Sequence, residues 1–383
     1  MIERLKSGEP RAIAAAAAAV VVVLVLGTLA VRGLGGSDSK ASRPAEQTAK
    51  KLMWGPAYMP DGGSVFPTMR DLGVGIFGIQ ARWEEIAPRE PDDPTDWRDP
   101  AYEWPQYLGD MIREAHEHGM KVQLMLMGAP KWANGGRPWN WAPRDPRDFG
   151  DFATAISNRY RDVRLWMVWG EPNREPNFSP LTPAPDATAP DDPLTAEQQV
   201  APRNYAQMLE SAYEALKRQD PDNLVIGGNT YTSAGLDNIR PYQWIRYMVL
   251  PDGSRPRMDM WGHNPWGNRR PDLSHEPSPN GTVSFSDLGR LAEALDEAFP
   301  GRPLKLYLAE WGVPTGFEDV HLGQEETPET ADKWIRSAFA IADWKRIYTL
   351  GWIHLLDKDG ISTGLLTKGG ERKSTYGTYK RSD

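Results

Sequence analysis

The 383-residue chain is 40% hydrophobic and 25% charged, a balance that suits a folded globular protein and excludes wholesale disorder. It has no cysteine, which excludes disulfides, thiolate metal sites, iron–sulfur clusters and a cysteine nucleophile. Its formal net charge of −8 argues against a broad phosphate-binding surface, and so against nucleic acid as a partner.

The charge is unevenly divided. Residues 1–51 carry 8 basic and 4 acidic side chains, whereas the rest of the chain carries 36 and 48. Residues 12–31 are uncharged, and only Gly27 and Thr28 interrupt their apolar character. At about 1.5 Å per residue such a helix spans roughly 30 Å of hydrocarbon. Arg4, Lys6 and Arg11 precede it and favour a cytoplasmic N-terminus. The sequence therefore predicts a cytoplasmic segment 1–11, a single transmembrane helix 12–31 and a Gly/Ser-rich flexible tether 32–51. A cleaved signal peptide is the competing reading, with Thr28-Leu29-Ala30 as its cleavage site, but the apolar run is longer than a usual signal core. In either case the domain from residue 52 onward is expected outside the cytoplasm, anchored to the cell membrane or secreted.

From residue 52, short apolar runs at 52–57, 74–80, 121–127, 164–170, 224–229, 258–263, 304–310 and 349–355 alternate with helical patterns. The helices are expected near 67–73, 105–119, 147–160, 203–219, 241–250, 287–299 and 328–345. In the second, Tyr107, Met111 and Ala115 fall on one face, which is expected to be buried. Eight strands separated by seven helices imply a parallel sheet, and eight units imply closure. The expected class is α/β: a (β/α)8 TIM barrel over 52–383, preceded by one N-terminal transmembrane helix. A doubly wound open sheet would need a Gly-rich phosphate loop after the first strand, and residues 53–58 are not one. Loops from strand to helix are long and those from helix to strand are short. The long ones gather at the C-terminal ends of the strands, where barrels carry their active sites.

The fourth strand runs into Trp169-Gly170-Glu171-Pro172-Asn173, and the seventh into Ala309-Glu310-Trp311-Gly312. Strands four and seven stand on opposite sides of an eight-stranded barrel, so both glutamates can face its mouth. Opposed carboxylates are what glycoside hydrolysis requires: one protonated to donate to the leaving oxygen, one ionised to attack carbon or activate water. Their surroundings must hold the two pKa values apart.

Those two motifs, in order and 139 residues apart, make residues 52–383 resemble a glycoside hydrolase of clan A, closest to family 39 and its relatives. Trp169–Asn173 is similar to the family's W-N-E-P-N, and Ala309–Gly312 to its (T/S)-E-W-G. The resemblance implies retaining double displacement, with Glu171 as acid/base and Glu310 as nucleophile. It also implies that Arg82 lies near the nucleophile, that His263 and Asn264 form a polar site beside it, and that Trp352 floors the sugar subsite. Trp169 and Asn173 of the first motif are expected to bind substrate with them. The segment 364–376 resembles the family's closing segment. Gly170 departs from the pattern. The clan places asparagine there to hold the sugar 2-hydroxyl, so a donor is expected from elsewhere, Asn229 or Asn264, or the substrate differs at that position.

The sixteen tryptophans divide by position. Trp166, Trp261, Trp334 and Trp344 sit in strand or helix patterns and are expected in the core. Trp132, Trp139, Trp141, Trp266 and Trp311 sit in the long loops, where flat rings can stack on sugars. His116 and His118 are two apart on a helix and point different ways, so no zinc site is expected. The acidic run 92–99 lacks EF-hand spacing and is expected to be a polar loop. No metal or cofactor is expected. The expected activity is retaining hydrolysis of an oligo- or polysaccharide. A transglycosylase remodelling a surface polysaccharide, or a weakly catalytic carbohydrate-binding protein, are the alternatives. The net acidity of the domain argues against a polyanionic substrate unless a local patch overrides it.

Overall fold

The computed structural model describes residues 44–382, apart from 57, 186–188, 191, 233–236 and 302. The expected helix 12–31, the segment 1–11 and tether residues 32–43 lie outside the described residues. Among the described residues no helix is long and apolar enough to cross a membrane.

Eight parallel strands close into a barrel in sequence order. They are β1 (Thr48–Trp54), β2 (Val74–Arg82), β3 (Lys121–Met127), β4 (Leu165–Val168), β5 (Leu224–Tyr231), β6 (Met260–Asn264), β7 (Lys305–Trp311) and β8 (Ile347–Ile353). Closure is made by β1 against β8, with Lys51 opposite Leu350 and Trp54 opposite Ile353. Strands covered on both faces read as continuous apolar runs, which is why their positions are visible in the sequence. The helices are α1 (Phe66–Asp71), α2 (Trp83–Ile86), α3 (Gln106–Glu117), α4 (Lys131–Asn134), α5 (Pro146–Arg159), α6 (Val200–Gln219), α7 (Pro241–Tyr247), α8 (Leu288–Ala298), α9 (Pro328–Ala342) and α10 (Ser374–Arg381). In α3 the buried stripe is Leu108, Met111, Ile112 and Ala115. Tyr107, expected on that stripe, is 46% exposed. Proline in the first turn and an Asp145 or Thr327 cap start α5 and α9.

Two boundaries differ from the sequence reading. β1 begins at Thr48, so residues 48–51, assigned to the flexible tether, belong to the barrel. The ring of helices is completed by α10, which the periodicity did not separate from the tail. It docks beside α1, where Asp71 accepts hydrogen bonds from Tyr376 Oη and Lys380 Nζ, both at 2.7 Å. Below the barrel mouth, the Trp54 indole donates to the Ala309 carbonyl at 2.8 Å. Gly78 makes room for that ring, since a Cβ there would sit 2.9 Å from it. Trp54 thus braces the strand that carries Glu310.

Candidate active site

The chain leaves β4 through a tight turn. Trp169 and Glu171 both take left-handed backbone, with φ of 67° and 45°, around Gly170. That conformation costs an L-residue on the order of 1–3 kcal/mol and persists only where neighbours enforce it. Here the Trp169 N–H donates to Leu126 O at 2.8 Å and the Glu171 N–H to Asn229 O at 3.1 Å. The Trp169 ring is fully buried against Phe149 and Phe178 and donates to Asn177 O. The Asn173 amide donates to Tyr231 O and Ile239 O and accepts from Tyr231 N. Trp169 and Asn173, expected as substrate contacts, are therefore mounting points that fix the strand end.

Glu171 is buried and well supplied with donors. Oε1 accepts from Asn264 Nδ2 at 2.8 Å, and Oε2 from Arg174 and from Asn177 Nδ2, each at 3.3 Å. Burial pushes its carboxyl up, and Arg174, Asn264 and Asn177 oppose that. Glu310, at the end of β7, is the contrast. Among the described residues no side chain donates to it. Burial and the charge of Glu171 push it up to about 8, with Arg174 pulling the other way. The two carboxyls repel each other, which pushes Glu310 up further, while Arg174, Asn264 and Asn177 oppose the upward push on Glu171.

The other expected residues scatter around this pair. Arg82 is ion-paired with Glu84 and with Glu85 and lies 4.6 Å over the Trp139 ring. The cation beside the carboxylates is Arg174 instead, stacked 4.1 Å over Tyr231. His263 is fully buried, with Nδ1 at 2.9 Å from Thr230 Oγ1 and Nε2 at 2.9 Å from Val283 O. Burial lowers its pKa to about 4, so it is neutral and tied to the scaffold on both sides rather than open to a sugar. Its neighbour Asn264 orients Glu171, and the Asn264 Oδ1 and Asn229 Oδ1 atoms are buried without a partner among the described residues. Either can accept a hydroxyl proton. Trp352 is buried edge-on against Trp311 and Tyr379 and donates to Thr363 O. Trp132 donates to Ala87 O and stands edge-on to Trp83. Trp352 is thus held in the barrel wall, and Trp132 is half-buried beside Trp83.

An open cavity of about 600 Å³ is lined in part by Tyr231, over whose ring lies the Arg174 guanidinium that pairs with Glu171. Its wall also includes Trp266, which is half-buried, and Trp311, which is fully buried and packed edge-on against Phe285 and Trp352. Arg269 and Arg270 line it as well. The place left by Gly170 is filled: Met125 Sδ would lie 3.1 Å from a Cβ there. The sequence reading missed Arg174, Asn177 and Tyr231. Only the position of Arg174, one residue beyond the W-G-E-P-N run, pointed to it. Among the described residues no cluster of three His, Asp or Glu side chains is placed to hold a metal.

No protein-family model and no curated protein matches the chain. Solved structures do. A family 39 glycoside hydrolase from Bacteroides cellulosilyticus matches with a TM-score of 0.59 at 16% identity, over 87% of this chain and 63% of that one. A monomeric β-xylosidase from Caulobacter crescentus gives 0.58 at 18%, over 89% and 69%. A glucosidase from Croceicoccus marinus gives 0.58 at 14%, over 88% and 67%. This chain thus spans less than two thirds of the length of the first. At such identities the likeness is one of fold. The chain has the eight-stranded parallel barrel found in family 39 and related glycoside hydrolases.

Proposed function

We propose that the protein is a retaining glycoside hydrolase that acts on an oligo- or polysaccharide outside the cytoplasm, held at the membrane by residues 12–31. The observation that carries the reading is the pair of carboxyls beyond β4 and at the end of β7, Glu171 buried and Glu310 half-buried, which repel each other. Family 39 and related glycosidases as structural neighbours support it.

By the resemblance, Glu310 attacks the anomeric carbon while Glu171 gives its proton to the departing oxygen. Water then opens the glycosyl ester as Glu171 takes a proton back. A second reading is favoured by the donors on Glu171: the roles are exchanged, with Glu171 as nucleophile and Glu310 as acid. Trapping with 2-deoxy-2-fluoro glycosides and mapping the labelled peptide decides between them. A label on Glu310 supports the first reading and one on Glu171 the second. Products of inverted configuration by NMR would overturn retention in both. Transfer to added sugar acceptors in place of water would make the enzyme a transglycosylase. The tether is tested by membrane fractionation and protease accessibility of the barrel in intact cells. A barrel that is soluble inside the cell would remove it.

A further inference from the structure

The cleft that reaches Glu171 through Tyr231 and Arg174 has a composition at odds with the domain that contains it. The chain from residue 52 onward is acidic, with 48 acidic against 36 basic residues. Yet none of the twenty residues lining the cleft is Asp or Glu, whereas Arg269, Arg270 and His321 all are part of its wall. Arg270 is paired with Asp272 at 2.9 Å, outside the lining. Arg269 is exposed and has no carboxylate partner among the described residues. On the catalytic side the wall is formed by Trp311, the residue after Glu310, and by Tyr231, whose ring carries the Arg174 guanidinium. The loop beyond β6 thus presents guanidinium groups and a flat ring, Trp266, to whatever extends from the carboxyl pair.

We propose that this cleft is a subsite for an anionic sugar unit, bearing a carboxylate or a sulfate ester, adjacent to the unit that is cleaved. The proposal rests on the glycoside-processing reading above and names the substrate class for it. An anion is disfavoured against the Glu171–Glu310 pair, where it would add to the repulsion the two carboxyls already exert on each other. It is received at the far wall, where Arg269 supplies an unneutralised planar fork suited to carboxylate and sulfate oxygens. Trp266, half-exposed in the wall, offers an apolar face on which the ring of the same unit rests. The acidity of the rest of the domain keeps such ligands off other surfaces, so that the patch confers selectivity rather than general stickiness.

The test uses the full-length Glu310→Gln protein, which keeps the cleft and removes turnover. Binding is measured for oligogalacturonate and alginate oligosaccharides, for carrageenan oligosaccharides, and for their carboxyl-reduced or desulfated counterparts. The acidic probes are expected to bind more tightly than their neutral counterparts and to weaken between 50 and 500 mM salt, by roughly tenfold. Arg269→Ala with Arg270→Ala should weaken acidic probes by roughly tenfold or more and leave neutral ones unchanged. Lysine at both positions, which keeps the charge, should retain most of the preference, and circular dichroism confirms the fold of each variant. Uronate-only or sulfate-only binding identifies the source of the anion. Equal affinity for neutral counterparts, no effect of the double alanine variant, or no binding by any acidic probe would overturn the proposal. Hydrolysis of neutral glycans without acidic preference sinks this subsite alone. Acidic binding without hydrolysis by the unaltered protein sinks the glycosidase reading and leaves the subsite.

Discussion

Gly170 is flanked by two residues in left-handed backbone but is not itself in that region, so its backbone would accept a side chain. What excludes one is packing, with Met125 Sδ and Cε at 3.1 and 3.2 Å from the position of a Cβ. Introducing the asparagine usual in the clan is therefore expected to overpack the site. Gly170→Asn should lower stability by about 1–3 kcal/mol and not raise turnover, and should cost less when made in Met125→Ala and compared with Met125→Ala alone. Thermal melts of these variants check this, and a Gly170→Asn variant as stable as the parent would show that Met125 moves freely. The carboxyl of Glu310 invites a second residue-level test. Its folded pKa of about 8 lies above the ordinary 4.5, so its protonated form is the one the fold favours. The stability it contributes is full below pH 4.5 and is lost as pH rises through 8. Glu310→Gln should melt higher than the parent at pH 8, by about 1–3 kcal/mol since the carboxyl is partly open to solvent, with the gap closing near pH 4.5. Equal melting at pH 8 would mean that Glu310 is hydrated and its carboxyl unperturbed.

At the level of elements, legibility followed burial. β2, β3 and β5 are apolar on both faces and begin where the sequence placed them. β1 does not, because Thr48, Ala49, Lys50 and Lys51 read as tether, although Lys51 is fully buried with its ammonium on the Leu72 and Lys380 carbonyls. A lysine that meets carbonyls instead of water carries no periodic signal. α10 was missed for a related reason: eight residues with Tyr376 and Tyr379 inward give too short a stripe to separate from a loop. The glutamates were legible because strand ends are fixed by the barrel. Arg174 was not, since the loop that returns it to Glu171 has no pattern. Burial raises the Asp71 carboxyl, but Lys380 and Tyr376 outweigh it and hold it below the usual range. Asp71→Ala should thus release α10, lowering stability by about 1 kcal/mol and raising hydrogen exchange in 374–381 ahead of the barrel strands. Unchanged exchange in that helix would show that its apolar face alone holds it.

On the scale of the whole molecule, the question is where the folded unit starts. The described residues begin at Pro44, eight residues before the boundary drawn from hydrophobicity. Those residues are not a passive lead. The Ala45 N–H donates to Asp71 O at 3.1 Å, and the Gln47 amide reaches Val74 O and His118 O at 2.9 and 3.0 Å. Lys50 Nζ bridges Ala342 O and Ile347 O at 2.6 and 2.8 Å, joining the end of α9 to the start of β8. Together these contacts bind β1 to both of its neighbours at the N-terminal rim of the barrel, remote from the carboxyl pair. A barrel has no edge only while its first strand is complete, and a strand shortened by four residues leaves β2 and β8 with unpaired backbone. A chain of residues 44–383 is therefore expected to stay soluble and to melt within about 2 °C of the full-length protein in detergent. A chain of residues 52–383, lacking several buried hydrogen bonds worth about 1 kcal/mol each, should aggregate or melt more than about 10 °C lower. If both truncated chains melt alike, the rim contacts contribute nothing and the barrel is closed by its apolar strands alone. If both fail, residues before 44 are part of the fold. The predicted split between the two would make residues 44–51 part of the closed barrel rather than a lead into it.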